Sequence, residues 1–382
     1  MRLPPVKLDH LERLTDGTGI LQFAQFGVGD PHSGYTTDDN TRALIVAARL
    51  PRGPARERLA STYLKFLLYA QRADGTLAHE VSYERSPSQL GASDDGFGRC
   101  LWACGEVVAS DLPEAMKGAA ASIFQRALPH LTGIRHPRGW ANAIQGLALW
   151  ASHVDAGMVS DAAAKCAEHL LSRIKLHSVP EWVWFEDILT YEPGRLPLGL
   201  LYAGALTGDN RYLEVGERVL AFLERTLFEV TPRRRVFSAI GNRGWYRRGG
   251  ARAVYDQQPI DAASMVEVAT AAAVMTKDPR YRSLARDAFA WFLGANTVGM
   301  PLYDQETGAC HDGLTPHGVN LNAGSESTIC YLIARLMIAA REHPISRLLA
   351  GRPRALELRG ARRVESAREP PAQHSPPVRP TA

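Results

Sequence analysis

The chain has 382 residues, 45% apolar and 22% charged, which allows two ordinary domains or one large repetitive one. It holds no run of ~18 uninterrupted apolar residues, so no membrane span is expected. The formal charge of +4 misleads: residues 345–382 carry eight Arg and three Glu, hence +5, leaving the body near −1 and without the basic face that nucleic-acid binding requires.

The apolar pattern is helical nearly throughout. The spacing predicts a first helix over 8–23. A second, over 39–50, begins at Asp38-Asp39, acids suited to the free N–H groups of a helix start. Further helices are expected over 57–71, 94–109, 114–128, 142–151, 162–176, 198–206, 212–228, 260–275, 281–294 and 327–340. The one strand candidate, 236–239, reads as part of a hairpin in a loop.

These helices alternate in kind. One kind is apolar most of the way round and opens on a polar cluster, as a buried helix would. The other has a single apolar stripe and a charged face, as an outer layer would. Six of each make an all-α fold, an (α/α)6 toroid spanning residues 1–344. A repeat supports this: Thr207-Gly208-Asp209-Asn210-Arg211-Tyr212 matches Thr276-Lys277-Asp278-Pro279-Arg280-Tyr281 at an offset of one hairpin and its loop. Residues 345–382, rich in Arg, Pro and Ala, read as a basic disordered tail.

Five cysteines, Cys100, Cys104, Cys166, Cys310 and Cys330, form no CxxC pair and are expected to be buried free thiols. The opening residues Met1 to Lys7 lack the apolar stretch of a secretion signal, and the expected location is the cytoplasm.

In a toroid the inner helices run parallel, so their polar starts gather at one end. The long connections 71–93, 177–195, 228–255 and 294–321 are expected there, and loops of that length are commonly functional. Five clusters carry candidate chemistry. Tyr35, Asp38, Asp39 and Arg42 form the first, more polar than a cap requires. Asp94, Asp95 and Arg99 repeat the pattern. In the third, Glu186 and Asp187 stand beside Trp182, Trp184 and Phe185, with Tyr191 following. Aromatic faces stack on sugar rings, and an apolar wall raises a carboxyl pKa toward that of a general acid. Asp256, Gln257 and Gln258 make the fourth, with Asp261 nearby. The fifth joins His311 and Asp312 to Asn320, Asn322 and Glu326. The cluster at Arg138 has no acid and offers Trp140 as a stacking platform.

No HxxxH or HExxH spacing occurs, so no metal is expected. A phosphate-binding loop, a GxGxxG turn in a strand–helix setting and a GxSxG elbow are also missing, and no cofactor is expected.

Taken in order, GYTTDDNTRAL, WFEDILTYEPGRLPLGLLYA, DQQPIDA and CHDGL…NLNAGSEST resemble a bacterial (α/α)6 domain of the six-hairpin glycosidase superfamily. The resemblance covers about residues 10–340. It implies a carbohydrate substrate and a glycosyltransferase as partner, since such domains are often associated with or fused to glycosyltransferases of exopolysaccharide loci. Thr190-Tyr191-Glu192-Pro193 departs from the usual TYDN, which leaves Glu192 without an implied role.

The leading expectation is an inverting glycoside hydrolase acting on a bacterial oligo- or polysaccharide. Inversion needs an acid and a base ~6.5–9.5 Å apart. Glu186 is the expected acid and Asp39 the expected base, with Asp187, Glu326 and Asp312 as substitutes. Trp140, Trp184 and Tyr191 would stack on sugars; Arg42, Gln257, Gln258, Asn320 and Asn322 would bind hydroxyls. The alternatives are an epimerase or phosphorylase, or a glycan-binding module without catalysis. An epimerase would need two converging histidines, for which His79 and His311 are the candidates.

Overall fold

A computed structural model describes residues 2–151, 153, 156–232 and 234–350. Among them are thirteen α-helices: α1 (Asp9–Leu14), α2 (Thr37–Arg49), α3 (Pro54–Ala70), α4 (Asp94–Ala109), α5 (Glu114–Ala127), α6 (Pro137–Trp150), α7 (Ala156–His177), α8 (Arg195–Thr207), α9 (Asn210–Leu227), α10 (Pro259–Thr276), α11 (Pro279–Ala290), α12 (Ser325–Ala339) and α13 (Pro344–Ala350).

The even-numbered helices form the inner ring. Each packs on the next, and α12 packs on α2 to close the circle. Their composition explains the position: every residue of α6 is buried, as are twelve of the thirteen in α8. Glycines set the closest approach. A Cβ on Gly146 of α6 would lie 2.5 Å from the backbone carbon of Leu101 in α4, and one on Gly98 of α4 would lie 2.4 Å from the Gly139 carbonyl oxygen. Behind this ring, α3, α5, α7, α9 and α11 each cover the preceding inner helix. The helix α9 presents the expected stripe of Tyr212, Leu213, Gly216, Val219, Leu220 and Leu223, with Arg and Glu outward. The (α/α)6 toroid is therefore the fold.

Two expectations need correction. The helix expected over 8–23 stops at Leu14, so the sixth outer position, against α12, is filled by the six residues of α1. The cause is local: the Asp16 carboxylate accepts the N–H groups of Thr18 (2.7 Å) and Gly19 (3.2 Å) and folds the chain into a turn. The toroid also runs past residue 344. The helix α13 packs under α8 and α10, with Ile345 fully buried. The tail from 351 lies outside the described residues.

The sequence repeat is one capping device used twice. Gly208 and Lys277 end α8 and α10 in the left-handed region (φ 82° and 58°). Asp209 and Asp278 then cap α9 and α11, accepting the N–H of Arg211 (2.9 Å) and Arg280 (2.8 Å). The connections at the other end hold the described strands, all in two-stranded antiparallel ribbons. One pairs Phe228–Val230 with Arg235–Phe237, the hairpin expected near 236–239. All five cysteines are buried free thiols, and no described helix is long and apolar enough to cross a membrane.

Candidate active site

The starts of α2, α4, α10 and α12 and the segment before α8 surround one mouth at the end of the toroid axis. Two adjoining hollows open there, of about 310 and 280 Å³, and they share Asp38, Ser93, Gln258 and Glu326 as walls. Arg42, Asp95, Arg99, Tyr191, Trp245 and Ile260 complete the first. Thr36, Asp39, His79, Asp312 and Ser327 are among those completing the second.

The first turn of α2 supplies the centre. One Thr36 hydroxyl caps the helix twice: it accepts the Asp39 N–H (3.0 Å) and donates to Asp39 Oδ2 (2.7 Å). Four residues on from Asp38, Arg42 turns back to meet Asp38 (3.0 Å), Asp39 (3.3 Å) and, across the ring on α12, Glu326 (2.7 Å). Carboxylate oxygens of Asp38, Asp39 and Glu326 all lie within 4.8 Å of one another. That spacing could hold a cation, but the Arg42 guanidinium already supplies a positive charge to all three.

The environment separates the two aspartates. Burial works against ionisation of Asp38, yet Arg42 and Arg99 outweigh it and hold the carboxyl below its usual range. For Asp39 burial wins over Arg42, and the nearby Asp38 and Glu326 add to it, raising the carboxyl to about 6. The pair thus comprises a carboxylate held ionised and one that takes up a proton near pH 6, the division of roles that acid–base chemistry uses.

Below the mouth, alternating charges run down the axis. Arg99 pairs with Asp38 above and Glu192 beneath. Glu192 also meets Arg195 (3.0 Å), which reaches Glu267 (2.6 Å). Glu267 meets Arg49 (3.2 Å), and Arg49 pairs with Glu106. Trp102 floors this column, donating its indole N–H to Glu106 (3.1 Å) and lying 4.2 Å under the Arg195 guanidinium. Each charge of this column has an opposite neighbour, without which burial would be prohibitive. The column ends at a larger groove of about 800 Å³ at the far end of the toroid, lined by Arg49 and Glu106.

Glu192, to which the sequence assigned no role, is central to this column. It is 2% exposed and held at φ 49°, a strained value for a residue with a side chain. Its N–H donates to Asp261 Oδ1 (2.6 Å). Burial opposes its ionisation, but Arg99 and Arg195 prevail and pull the carboxyl down to about 2. Asp261 is raised to about 8, chiefly by burial.

Of the sequence candidates, Asp38, Asp39, Arg42, Asp95, Arg99, Tyr191, Gln258, Asp312 and Glu326 line the mouth. Glu186 and Asp187 are absent from its walls. Glu186 lies 3.5 Å from Arg138, and half-exposed Asp187 pairs with His177 (3.3 Å) and Arg248 (3.0 Å). The two aromatic platforms are core residues instead. Trp184 is fully buried against Phe185 and Phe222, and Trp140 stacks on His169 (4.7 Å). Both indole N–H groups are spent on backbone carbonyls.

The remaining candidates tie loops together. Tyr35 is buried and donates to Asp16 (2.5 Å). Asp94 accepts the N–H groups of Arg135 (2.6 Å) and His136 (2.8 Å). Asp256 pairs with Arg243 (3.0 Å). The buried Gln257 amide donates to Val254 O and Thr297 and accepts from Trp291. Asn320 accepts from the Asn322 N–H, and Asn322 from that of Phe26. His311 lines neither hollow; among described residues His79 is the one histidine that does.

The sequence reading missed Ser93, Trp245 and Ile260. Trp245 had a signal, since it stands in a long connection rich in Gly and Arg. Its ring lies 6.3 Å from that of Tyr191, whose other neighbour is the Arg138 guanidinium at 4.2 Å.

With this geometry in place, the fold can be compared with solved structures. A sugar epimerase from a ruminal bacterium is similar over 88% of this chain and 96% of its own (TM-score 0.67, 9% identity). The cellobiose 2-epimerase of Spirochaeta thermophila matches over 88% and 92% (TM-score 0.66, 13% identity). A GH76 α-mannanase from Bacteroides thetaiotaomicron matches over 83% and 88% (TM-score 0.56, 12% identity). At these identities the likeness is one of fold. No protein-family model matches the chain, and no curated protein matches it in sequence.

Proposed function

We propose that the protein is a carbohydrate-active enzyme that binds a sugar in the mouth and transforms it with the carboxyl groups of Asp38, Asp39 and Glu326. The observation that carries this reading is the convergence of these carboxylates within 4.8 Å in a cavity of sugar size. Asp39, raised to about 6, is the proton donor. Asp38, held ionised by Arg42 and Arg99, is the second carboxylate. Tyr191 and Trp245 offer the aromatic surface that a sugar ring stacks on.

The reaction we favour is glycoside hydrolysis, but with retention rather than the inversion expected from sequence. Inversion leaves room for a water between carboxyl groups ~6.5–9.5 Å apart, whereas retaining pairs stand ~5–5.5 Å apart. The facing oxygens of Asp38, Asp39 and Glu326, within 4.8 Å of one another, favour the second spacing. Hydrolysis is tested by screening bacterial glycans for released reducing sugar and following the anomeric configuration of the product. Asp39→Asn and Glu326→Gln are each expected to lower kcat at least ~100-fold. Full activity in both variants would assign the chemistry to other residues.

A second reading is sugar epimerisation or isomerisation, favoured by the higher TM-scores of the two epimerases (0.67 and 0.66) than of the mannanase (0.56). Against it stands the single histidine, His79, in the mouth walls. Incubation with cellobiose and with mannose, analysed for the epimer and the ketose, separates the readings. A glycosyltransferase partner in the cytoplasm, implied by the sequence resemblance, belongs to the same proposal and is tested by co-purification.

A further inference from the structure

The charges lining the mouth are unbalanced. Five carboxylates reach it: Asp38, Asp39, Asp95, Asp312 and Glu326. Two guanidinium groups do, and both are spent. Arg42 serves three carboxylates, while Arg99 is divided between Asp38 and Glu192. No arginine or lysine among the lining residues is left to receive a carboxylate, phosphate or sulfate. An anionic sugar would enter against the field of the walls, with no free arginine or lysine to compensate its lost hydration.

Asp95 differs from its neighbours. It makes no ion pair with any described residue, and its one hydrogen bond is from the Tyr191 hydroxyl (2.6 Å) to Oδ2. That leaves Oδ1 as an acceptor. Trp245 lines the same 310 Å³ hollow and is half-buried. A carboxylate held in no ion pair, with an indole in the same small space, suits a protonated amine: the carboxylate takes its N–H groups and the indole attracts its charge.

We infer that the sugar bound in the mouth carries a free, positively charged amino group, received by Asp95 with Trp245 beside it. This rests on the reading of the mouth as a sugar site. The enzyme would thus act on a hexosamine-containing glycan with unacetylated amines, and would reject uronic acids and sugar phosphates.

The test is calorimetric titration of the full chain at pH 6.5 with glucosamine, galactosamine and mannosamine, each against its neutral parent hexose, its N-acetyl form and glucuronate. At least one amino sugar should bind ~10-fold or more tightly than its neutral and N-acetyl counterparts, weakening with salt, while glucuronate does not bind. Asp95→Asn, with its melting temperature recorded to confirm folding, should reduce that preference to within about twofold. Equal binding of amino and neutral sugars, or a preference that survives in Asp95→Asn, overturns the inference but leaves the sugar site standing. If no sugar of any class binds, the sugar site falls and the inference with it.

Discussion

Arg99 joins two carboxylates that sequence reading would never pair: Asp38 at the start of α2 and Glu192 in the segment before α8. One nitrogen of the guanidinium serves each. The side chain is 1% exposed, so its charge has no recourse to water.

Replacing it should therefore be severe. Arg99→Met strands Asp38 and Glu192 without their shared cation, and a loss of about 3–5 kcal/mol is expected in urea unfolding at pH 7. Glu192 also links stability to pH. Its folded pKa of about 2 lies below the unfolded value of ~4.3, so its contribution is present above ~4.3 and is lost as pH falls toward 2. Glu192→Gln should flatten acid unfolding in that window. An unchanged acid limb would show that the pairing contributes little.

Asp261 works in the opposite direction. Its folded pKa, about 8, lies above the unfolded ~3.9, so its contribution is full below ~3.9 and is lost as pH rises through 8. Asp261→Asn keeps an oxygen for the Glu192 N–H and has no proton to lose. Relative to wild type, this variant should gain at most about 1.4 kcal/mol per pH unit between pH 4 and 8. Thermal unfolding at pH 5 and pH 8 measures the difference, and parallel curves would remove Asp261 from the pH response.

The two tryptophans on the connections 177–195 and 228–255 should separate cleanly. Trp184 is fully buried, so Trp184→Ala should cost about 3–5 kcal/mol and act on binding only through stability. Trp245→Ala removes a cavity wall and should weaken sugar binding while leaving the melting temperature nearly unchanged. The reverse pattern in calorimetry would place the stacking surface at Trp184.

The contact between α4 and α6 depends on glycine. Gly146→Ala would force its methyl against Leu101 backbone, 2.5 Å away, at a cost of about 1–3 kcal/mol. Denaturant unfolding measures it; a neutral result would mean that the two helices can separate without loss.

The sequence by itself determined the layers of this protein, because periodicity and composition report burial directly. The all-round apolar α6 and α8 could only be inner helices, and the striped α9 only an outer one. That Asp38, Asp39, Asp95 and Glu326 share one mouth was legible for a related reason. Acids at the starts of parallel inner helices must share one end of the ring.

Side-chain direction was decided by tertiary structure alone. Glu186 and Trp184 are two residues apart in a motif that looks catalytic, yet the ring of Trp184 faces the core and Glu186 lies against Arg138 outside the mouth. Glu192 departs from the familiar motif, yet its backbone at φ 49° carries it into the axial column. Pairing of charges contributed by five helices and a loop depends on where those elements meet in space. Local pattern holds no record of that, and so the column from Glu326 to Glu106 emerged only with the folded ring.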